Sequence, residues 1–533
     1  MTADFAFMGG RVYAPGLEAT AVAVRGQMIT QVGDDDLIAG VVGPDTVVVD
    51  LGGRLMTPGF IDAHAHPGTS GLDLLRVDFG GVHDAPSVLE AVARYAAQNP
   101  DIDWILGSGW SRTWFPRGCP DLESLDLVVP DRPVLLWDSD GHSAWVNSVA
   151  LRLAGVDAMT PDPLDGRIER KTDGSPQGTV HEGAVTLVER HAPPDTAEDF
   201  TRGLLRGQAE FLPLGITGWQ DAHVGPEMQQ AYLGLARSGQ LKARVVGALW
   251  WEDDRGLEQI DELVERRRQA APGFSPTSVK LMLDGVAENF TASVVEPWLG
   301  SDGVATGNFG IDFIDPDLLR VIVTRLDALK FQCHFHVIGD RAARNALDAI
   351  EAARRVNGAS DNRHHLAHIQ LVHPDDIPRF ASLDVVANAQ PLWARHEAAQ
   401  AELTIPFLSA ERASWQYPFG SLAKAGARLA MGSDWAVSTA NVMEQVDTAI
   451  TRTGDYGDPF YPEECLSPSQ ALDAFTSGSA YVNHADSETG AIAPGMLADL
   501  VLLDRDPLGD DRFGDTKVTM TMIGGEVVFG EPV

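Results

Sequence analysis

The sequence predicts an α/β protein with three parts: a TIM-type (β/α)8 barrel, a small β-sandwich built from both chain ends, and a long insertion after the first barrel strand. Eight apolar segments alternate with helical patterns along the middle of the chain, whereas β-rich segments stand at its two ends. Eight alternating strand–helix units are typical of a parallel barrel that is wrapped by helices.

The predicted barrel strands are short apolar runs, and most are separated by segments in which apolar residues recur at helical spacing. One such helical segment spans residues 318–330, and another spans 343–356. The candidate strands lie at 55–66, 215–223, 243–251, 277–285, 331–340, 364–372, 384–391 and 427–437.

The chain ends and the insertion complete the predicted organisation. Residues 1–56 and 486–533 contain short strands joined by Gly and Asp turns, and neither end is long enough to bury a core alone. We therefore expect both ends to form one sandwich domain beside a barrel domain at 57–485. Within the barrel domain, an insertion at about 70–205 is expected to cover the barrel mouth.

The charge balance and the cysteines limit the class of protein. The 533 residues include 40 Lys and Arg against 76 Asp and Glu, so the formal net charge is −36. A field of that sign repels phosphate backbones and anionic lipids, so we expect neither nucleic acid nor a membrane as a partner. The chain start lacks a signal-peptide pattern, and the three cysteines form no C-x-x-C pair, so we expect a cytoplasmic protein without disulfides.

Two histidines end the first predicted barrel strand. His64 and His66 are two positions apart, so both side chains point to the same face of a strand. Both imidazoles can then reach one metal ion, although the pattern also fits two polar residues at a strand terminus.

Four further ionisable residues fall on other predicted barrel strands. His336 lies on the fifth strand, His368 on the sixth and Asp434 on the eighth, while Lys280 interrupts the otherwise apolar fourth strand. Barrel enzymes place their chemistry at the C-terminal ends of the strands. We therefore predict that these four residues converge with the histidine pair on one metal centre.

Lys280 has two interpretations. A lysine in a buried strand is unfavourable by several kcal/mol unless it is neutralised or paired, so it can form a salt bridge to a nearby acid such as Asp284. Alternatively, burial favours the neutral amine, which can react with CO2 to give a carbamate that bridges two metal ions.

Weaker candidates surround this group. His334 shares a strand face with His336 and is either an outer partner or a substrate contact, whereas His365 points away from His368 and is expected to be structural. Arg395, after the seventh strand, either binds a substrate carboxylate or pairs with a surface acid. The insertion adds His142, which is either a core or capping histidine or, as its place in the expected cover of the barrel mouth favours, a substrate contact. The aromatic residues of the insertion are expected to be divided between its core and the barrel mouth, and they are Trp104, Trp110, Trp114, Phe115, Trp137 and Trp145.

Seven segments together resemble the amidohydrolase superfamily, and in particular the branch known as amidohydrolase family 3, which includes N-substituted formamide deformylase-like proteins. The resemblance covers nearly the whole chain, and its motifs are specific only as a set. The segments are TPGFIDAHAHP, GHSAWVNSVAL, SVKLMLDG, HVIGDRA, HHLAHIQLV, MGSDWAV and GAIAPGMLADLVLLDRDP.

The resemblance implies a role for each matched residue. His64 and His66 bind the more buried metal, and a carbamylated Lys280 bridges to a second, more exposed metal. The remaining implied roles are metal binding for His336 and His368, metal contact and proton transfer for Asp434, and substrate binding for His142 and Trp110. Asp284 and Arg395 complete the candidate substrate-binding residues.

The resemblance implies a hydrolase that acts on carbon–nitrogen bonds other than peptide bonds. Zinc, as one or two ions, is the expected metal because it binds imidazole and carboxylate and does no redox chemistry. Metal-activated hydroxide would attack the carbonyl of a small amide-like substrate, such as an N-substituted formamide or a cyclic amide, and Asp434 would move the proton. A homodimer is one expected state of assembly.

Two other functions stay open at this stage. A deaminase of the same superfamily with one metal ion would act on an aminated ring, but such enzymes usually place a glutamate close to the fifth-strand histidine. Here Val-Ile-Gly-Asp follows His336 instead. A barrel that only binds a ligand is the second alternative, and purified protein without bound metal would favour it.

Overall fold

The barrel forms the centre of the computed structural model, which describes residues 2–14, 16–77, 79, 82–253, 255–510 and 513–531. Eight parallel strands pair in sequence order, which confirms the predicted TIM-type architecture. They are Phe60–Ala65, Ile216–Val224, Arg244–Trp250, Phe274–Met282, Gln332–Val337, His365–His368, Val386–Ala389 and Leu429–Met431. The terminal positions 1 and 533 of the predicted sandwich domain lie outside the described residues.

The first and eighth strands meet just beyond their paired segments. The backbone N–H of Asp434 donates to the carbonyl oxygen of His64 at 2.8 Å. Gly432 permits this approach, because a Cβ at that position would lie 2.5 Å from the backbone nitrogen of His64. The closure therefore brings two predicted metal ligands together.

The predicted strand at 55–66 is two strands. Leu55–Pro58 pairs with Leu500–Leu503 in the sandwich, and Phe60–Ala65 enters the barrel. Gly59 stands at the change of sheet, where a Cβ would lie 2.3 Å from Thr217 Oγ1. The apolar pattern continues through this junction because both halves are buried, so periodicity alone could not divide them.

Helices cover the outside of the barrel with their apolar faces. In Pro316–Ala328, Asp315 caps the first turn, and Leu319, Ile322, Val323 and Leu326 are buried at helical spacing. No helix in the described part of the chain is long and apolar enough to span a bilayer. The helices that follow the insertion are Ala197–Phe211, Pro226–Ser238, Gln259–Arg267, Pro316–Ala328, Asp340–Asn357, Ile377–Ser382, Ala410–Ala413, Phe419–Lys424, Val442–Thr451, Pro468–Asp473, Ser479–Val482 and Pro507–Asp510.

The insertion between the first two barrel strands has its own sheet and its own apolar clusters on the two sides of that sheet. In spatial order its strands are Gly166–Arg170, Pro176–Glu182, Ser143–Val146, Val134–Asp138 and Ile105–Trp110. Its helices are Pro67–Asp73, Ala85–Gln98, Leu122–Val128, Ser148–Ala154 and Thr186–Glu189.

The two chain ends together form two facing sheets that enclose one apolar cluster, and the second of these sheets combines strands from both ends. The first sheet, in spatial order, contains Met28–Gly33, Ala21–Arg25, Phe5–Met8 and Val47–Asp50, with the helix Asp35–Ala39 beside it. The second contains Arg11–Val12, Leu55–Pro58, Leu500–Leu503, Val518–Ile523 and Glu526–Gly530. Neither end alone supplies two complete sheets, which explains why the two ends associate.

Candidate metal centre

Three predicted ligands meet where the barrel closes. His64 Nε2 and His66 Nε2 each lie 3.2 Å from Asp434 Oδ1. The three potential ligand atoms all lie within 4.8 Å of one another. Separations of this size fit the binding of a single ion by two imidazoles and a carboxylate.

The two other predicted histidine ligands continue this group. The His368 ring centroid lies 4.7 Å from that of His64 and 4.5 Å from that of His336. His368 Nδ1 is also 3.8 Å from Asp434 Oδ2. Residues that are far apart in the chain therefore form one continuous cluster at the barrel mouth.

Four buried atoms of this cluster have no hydrogen-bond partner: His64 Nε2, His336 Nδ1, His368 Nδ1 and Asp434 Oδ1. The short distances to Asp434 do not produce well-aligned hydrogen bonds. A buried polar atom without a partner is unfavourable by about 1–3 kcal/mol, so four in one place need an explanation. Bound metal would supply the missing partner for each of them, so the donor set fits a metal centre.

Gln220 determines which histidine nitrogen carries a proton behind the site. Gln220 Nε2 donates to Asn483 Oδ1 at 2.9 Å and to a second amide oxygen at 3.1 Å. These contacts identify Nε2 as the amide nitrogen, so Gln220 Oε1 is the amide oxygen and accepts hydrogen bonds. His334 Nδ1, at 2.7 Å, must donate to this oxygen, and His365 Nε2 also contacts it at 2.9 Å. His334 Nε2 then accepts from His64 Nδ1 at 2.7 Å, which leaves His64 Nε2 with a free lone pair.

Asp62 joins the ends of the first and eighth strands, and sequence reasoning missed it. Its Oδ1 accepts from the backbone N–H of His64 at 3.1 Å and of Ser433 at 3.0 Å, and its other oxygen accepts from the Ser433 hydroxyl. Burial raises the pKa of Asp62 to about 7 despite these bonds. The available signal was its position two residues before His64, on the same strand face.

The backbone is strained at two of the ligands. His368 has φ 72° and Asp434 has φ 54°, both in the left-handed region that non-glycine residues rarely adopt. Such conformations cost about 1–3 kcal/mol and concentrate at functional sites.

Burial keeps the imidazoles in the neutral form that binds metal. It lowers the pKa of His64 to about 3, with the nearby Lys280 as the next cause, and it lowers the pKa values of His336 and His368 well below the usual value. Burial would raise the pKa of Asp434, but His64 and His66 hold it well below the usual range, so this side chain is an anion.

Lys280 is buried beside the cluster without a paired acid. Only 2% of its surface is exposed, and no carboxylate of the described residues lies within ion-pair distance of its ammonium group. Burial lowers the pKa of Lys280 to about 7, although Asp434 and Asp221 attract its charged form. The alternative of a salt bridge to Asp284 is therefore wrong.

Asp284 lies behind His336 rather than in the substrate space, so the structure does not support its prediction as a substrate-binding residue. Its side chain is fully buried, and its oxygens accept from the backbone N–H groups of Ile338, Gly339 and Ser293 at 2.8–3.0 Å. Asp284 Oδ1 lies 3.6 Å from His336 Nδ1, and burial raises its pKa to about 8. This arrangement fixes the turn that follows His336.

His142 reaches the cluster from the insertion. Its ring centroid lies 5.2 Å from that of His336, and its Nδ1 lies 2.8 Å from Glu182 Oε2. Burial would lower the pKa of His142, but Glu182 raises it to about 9. Glu182 was absent from the sequence prediction, and its other oxygen accepts from the Thr291 hydroxyl at 2.7 Å.

Trp110 belongs to the core of the insertion, so its predicted role in substrate binding has no support in the structure. Its side chain is fully buried, packs against Phe115 and Trp145, and donates from Nε1 to the carbonyl oxygen of Leu136 at 2.8 Å. Arg112, two residues later, instead lines the cavity at the barrel mouth. It pairs with Asp138 at 2.7 Å, and sequence reasoning missed it.

A cavity of about 410 Å³ lies between the insertion and the loops that follow the barrel strands. Trp393 lines it and stacks on His368 with ring centroids 5.0 Å apart, so one wall of the cavity lies against the cluster. Arg395 also lines the cavity, and its Nε donates to Glu397 Oε2 at 3.0 Å. Pairing of Arg395 with a nearby acid is thus present, and its binding of a substrate carboxylate stays a prediction.

Comparisons with known proteins agree with this geometry. The family model described as "Amidohydrolase family" matches residues 47–529. N-substituted formamide deformylase of Arthrobacter pascens is 28% identical over 95% of this chain and 94% of its own length. Protein LONG AFTER FAR-RED 3 of Arabidopsis thaliana is 29% identical over 96% of this chain and 88% of its own length.

A solved structure is also similar over nearly the full length. An uncharacterized metal-dependent hydrolase from Pyrococcus furiosus aligns with a TM-score of 0.72 and 26% identity, covering 95% of this chain and 99% of that one. The family model covers most of the sequence, and the fold is shared end to end. The chain therefore belongs to the amidohydrolase family, as its motifs predicted.

Proposed function

We propose that the protein is a metal-dependent hydrolase that cleaves the carbon–nitrogen bond of a small non-peptide amide, with N-substituted formamides as the leading substrate class. The observation that carries this proposal is the group of four unpartnered, buried ligand atoms next to Trp393, a residue that lines the mouth cavity. The similarity to a formamide deformylase over nearly the whole of both chains supports the choice of substrate.

The donor set suits two ions. His64, His66 and Asp434 would hold one, and His336 and His368 would hold the other. We propose that Lys280 is carbamylated and that its carbamate would help to hold both ions. The burial of Lys280 among these residues and its lack of a paired acid support this. Bound zinc would lower the pKa of a water molecule, so that this water can act as a nucleophile at neutral pH, and it would polarise the scissile carbonyl.

The chain's own residues position the substrate and move the proton. The carboxylate of Asp434 is anionic, so the oxygen that does not hold the ion is suited to accept the proton of the attacking water and to pass it to the leaving nitrogen. His142, held by Glu182 beside His336, is suited to donate a hydrogen bond to the substrate carbonyl. Trp393 supplies an apolar wall for the nitrogen substituent.

Elemental analysis and a substrate screen test the proposal together. Purified protein should contain zinc or a similar divalent ion and should release formate or another carboxylate from a panel of N-formyl, N-acyl and cyclic amides. Removal of the metal should abolish the release, and added zinc should restore it. Release of ammonia from an aminated ring would replace this function with deamination, and activity that survives complete metal removal would contradict the proposal.

A further inference from the structure

A second group of potential metal ligands lies in the insertion, outside the barrel centre. It consists of Cys119, Glu169 on the strand Gly166–Arg170, and His181 on the neighbouring strand Pro176–Glu182. Cys119 Sγ lies 3.9 Å from His181 Nε2, and Glu169 Oε1 lies 3.2 Å from the same nitrogen. All three potential ligand atoms lie within 4.8 Å of one another.

These separations resemble those around a tetrahedral ion. Bonds of about 2.1 Å from zinc to nitrogen and oxygen and about 2.3 Å to sulfur place the N and O atoms roughly 3.4 Å apart and the N and S atoms roughly 3.6 Å apart. The observed distances differ from these values by a few tenths of an ångström. Small side-chain adjustments would therefore let the three atoms surround one ion.

The environment also suits an ion at this place. Ser143 Oγ lies 2.7 Å from His181 Nδ1 and orients the ring so that Nε2 faces the other two residues. His181 is 1% exposed and Cys119 is 9% exposed, whereas the Glu169 side chain is 19% exposed and leaves a path from solvent. A thiolate, an imidazole and a carboxylate together favour zinc and similar soft divalent ions over magnesium or calcium.

One cation competes for the site. Arg167 donates from Nε to Glu169 Oε1 at 2.8 Å, and Arg167 Nη2 lies 2.7 Å from the same oxygen. These contacts use the same carboxylate oxygen that faces His181. An ion must therefore displace the guanidinium or use the other carboxylate oxygen, so Arg167 should weaken binding.

We propose that Cys119, Glu169 and His181 form a second transition-metal site, with zinc as the preferred ion and a fourth position open to solvent. An ion there would tie Cys119 to two neighbouring strands of the insertion. His181 immediately precedes Glu182, which holds His142 against the barrel centre. The site would thus fix the strand that supports this contact.

Cobalt substitution tests the proposal independently of catalysis. The barrel cluster contains no cysteine, so absorption from thiolate-to-cobalt charge transfer can come only from a site with a cysteine. We expect the metal-free wild-type protein to gain this band on titration with Co²⁺ and to lose it when zinc is added. Cys119→Ser should lose the band, while the matched control Cys465→Ser should keep it.

Arg167→Gln gives a second and opposite readout. An exposed ion pair such as Arg167–Glu169 contributes up to about 1 kcal/mol, and the ion no longer has to break it in Arg167→Gln. The midpoint of the cobalt titration should therefore shift to lower concentration by up to about fivefold. No thiolate band in the wild-type protein, or a band that survives in Cys119→Ser, would overturn the proposal. If Cys119→Ser does not fold, Arg167→Gln decides, and an unchanged midpoint overturns the site.

Discussion

The barrel mouth and the insertion each bring together histidine and carboxylate side chains, but the two clusters satisfy their polar atoms in different ways. At the barrel mouth, His64 Nε2, His336 Nδ1, His368 Nδ1 and Asp434 Oδ1 are buried without a hydrogen-bond partner. In the insertion, His181 contacts Ser143 and Glu169, and Arg167 pairs with the same carboxylate.

This difference determines how tightly each cluster should hold an ion. The barrel imidazoles are kept neutral by burial, so their nitrogens accept a metal without losing a proton. Burial raises the pKa of Cys119 to about 11, so an ion in the insertion must displace a thiol proton and compete with Arg167. Unpartnered buried atoms are therefore a stronger sign of a resident metal than short distances alone.

The largest expected effect is at Asp434. Asp434→Asn keeps the size of the side chain but removes the proton acceptor, so kcat should fall by about 10²–10⁴-fold with little change in metal content. Steady-state kinetics and elemental analysis would measure this. Asp317→Asn, whose carboxylate is 90% exposed, is the matched control and should keep wild-type kcat. Near wild-type turnover in Asp434→Asn would remove this residue from proton transfer.

Lys280→Ala should weaken metal binding at the barrel while the cobalt–thiolate band of the insertion stays unchanged. Removal of a residue that only hydrogen-bonds to a metal ligand lowers metal affinity by roughly 10–100-fold, and Lys280→Ala should lower it by more than this. A short carboxylic acid should partly restore metal binding. Metal titration with and without acetate would show this, with the exposed Lys424→Ala as control. Full metal occupancy in Lys280→Ala would argue against a bridging carbamate.

His334→Leu tests the proton arrangement behind His64. Loss of the acceptor for His64 Nδ1 should lower the metal affinity of the barrel centre by roughly 10–100-fold. Isothermal titration of the metal-free protein would measure this, with His191→Leu, at an exposed histidine, as the matched control. An unchanged affinity would mean that packing alone orients His64.

The smallest expected effect is at Arg395. If its main partner is Glu397, Arg395→Gln should change KM by less than about fivefold, because a partly exposed ion pair contributes up to about 1 kcal/mol. Arg268→Gln removes another exposed pair, with Glu265, and is the matched control. A much larger rise in KM, specific to acidic substrates, would instead assign Arg395 to substrate carboxylate binding.

Some parts of the site could be predicted from the sequence and others could not. Strand position and the shared motifs indicated His64, His66, Lys280, His336, His368 and Asp434, and the structure brings these residues together. The sequence pattern did not indicate Gln220 or Glu182, because each acts through a partner that is distant in the chain. Asp62 lies two residues before His64, but its second partner, Ser433, is also distant. Trp110 and Asp284 are buried behind other residues, and residue type alone gives no measure of such depth.

The sequence by itself determined the alternation of strands and helices, the sandwich strands at both ends and the ionisable residues at strand termini. These features follow from local periodicity and from the side-chain chemistry of single positions. Only the tertiary structure decided which polar atoms are left without partners, which acids lie behind a ligand rather than before it, and where the chain changes sheet at Gly59. Burial and hydrogen bonding between distant residues set these properties, so no segment of the chain encodes them alone.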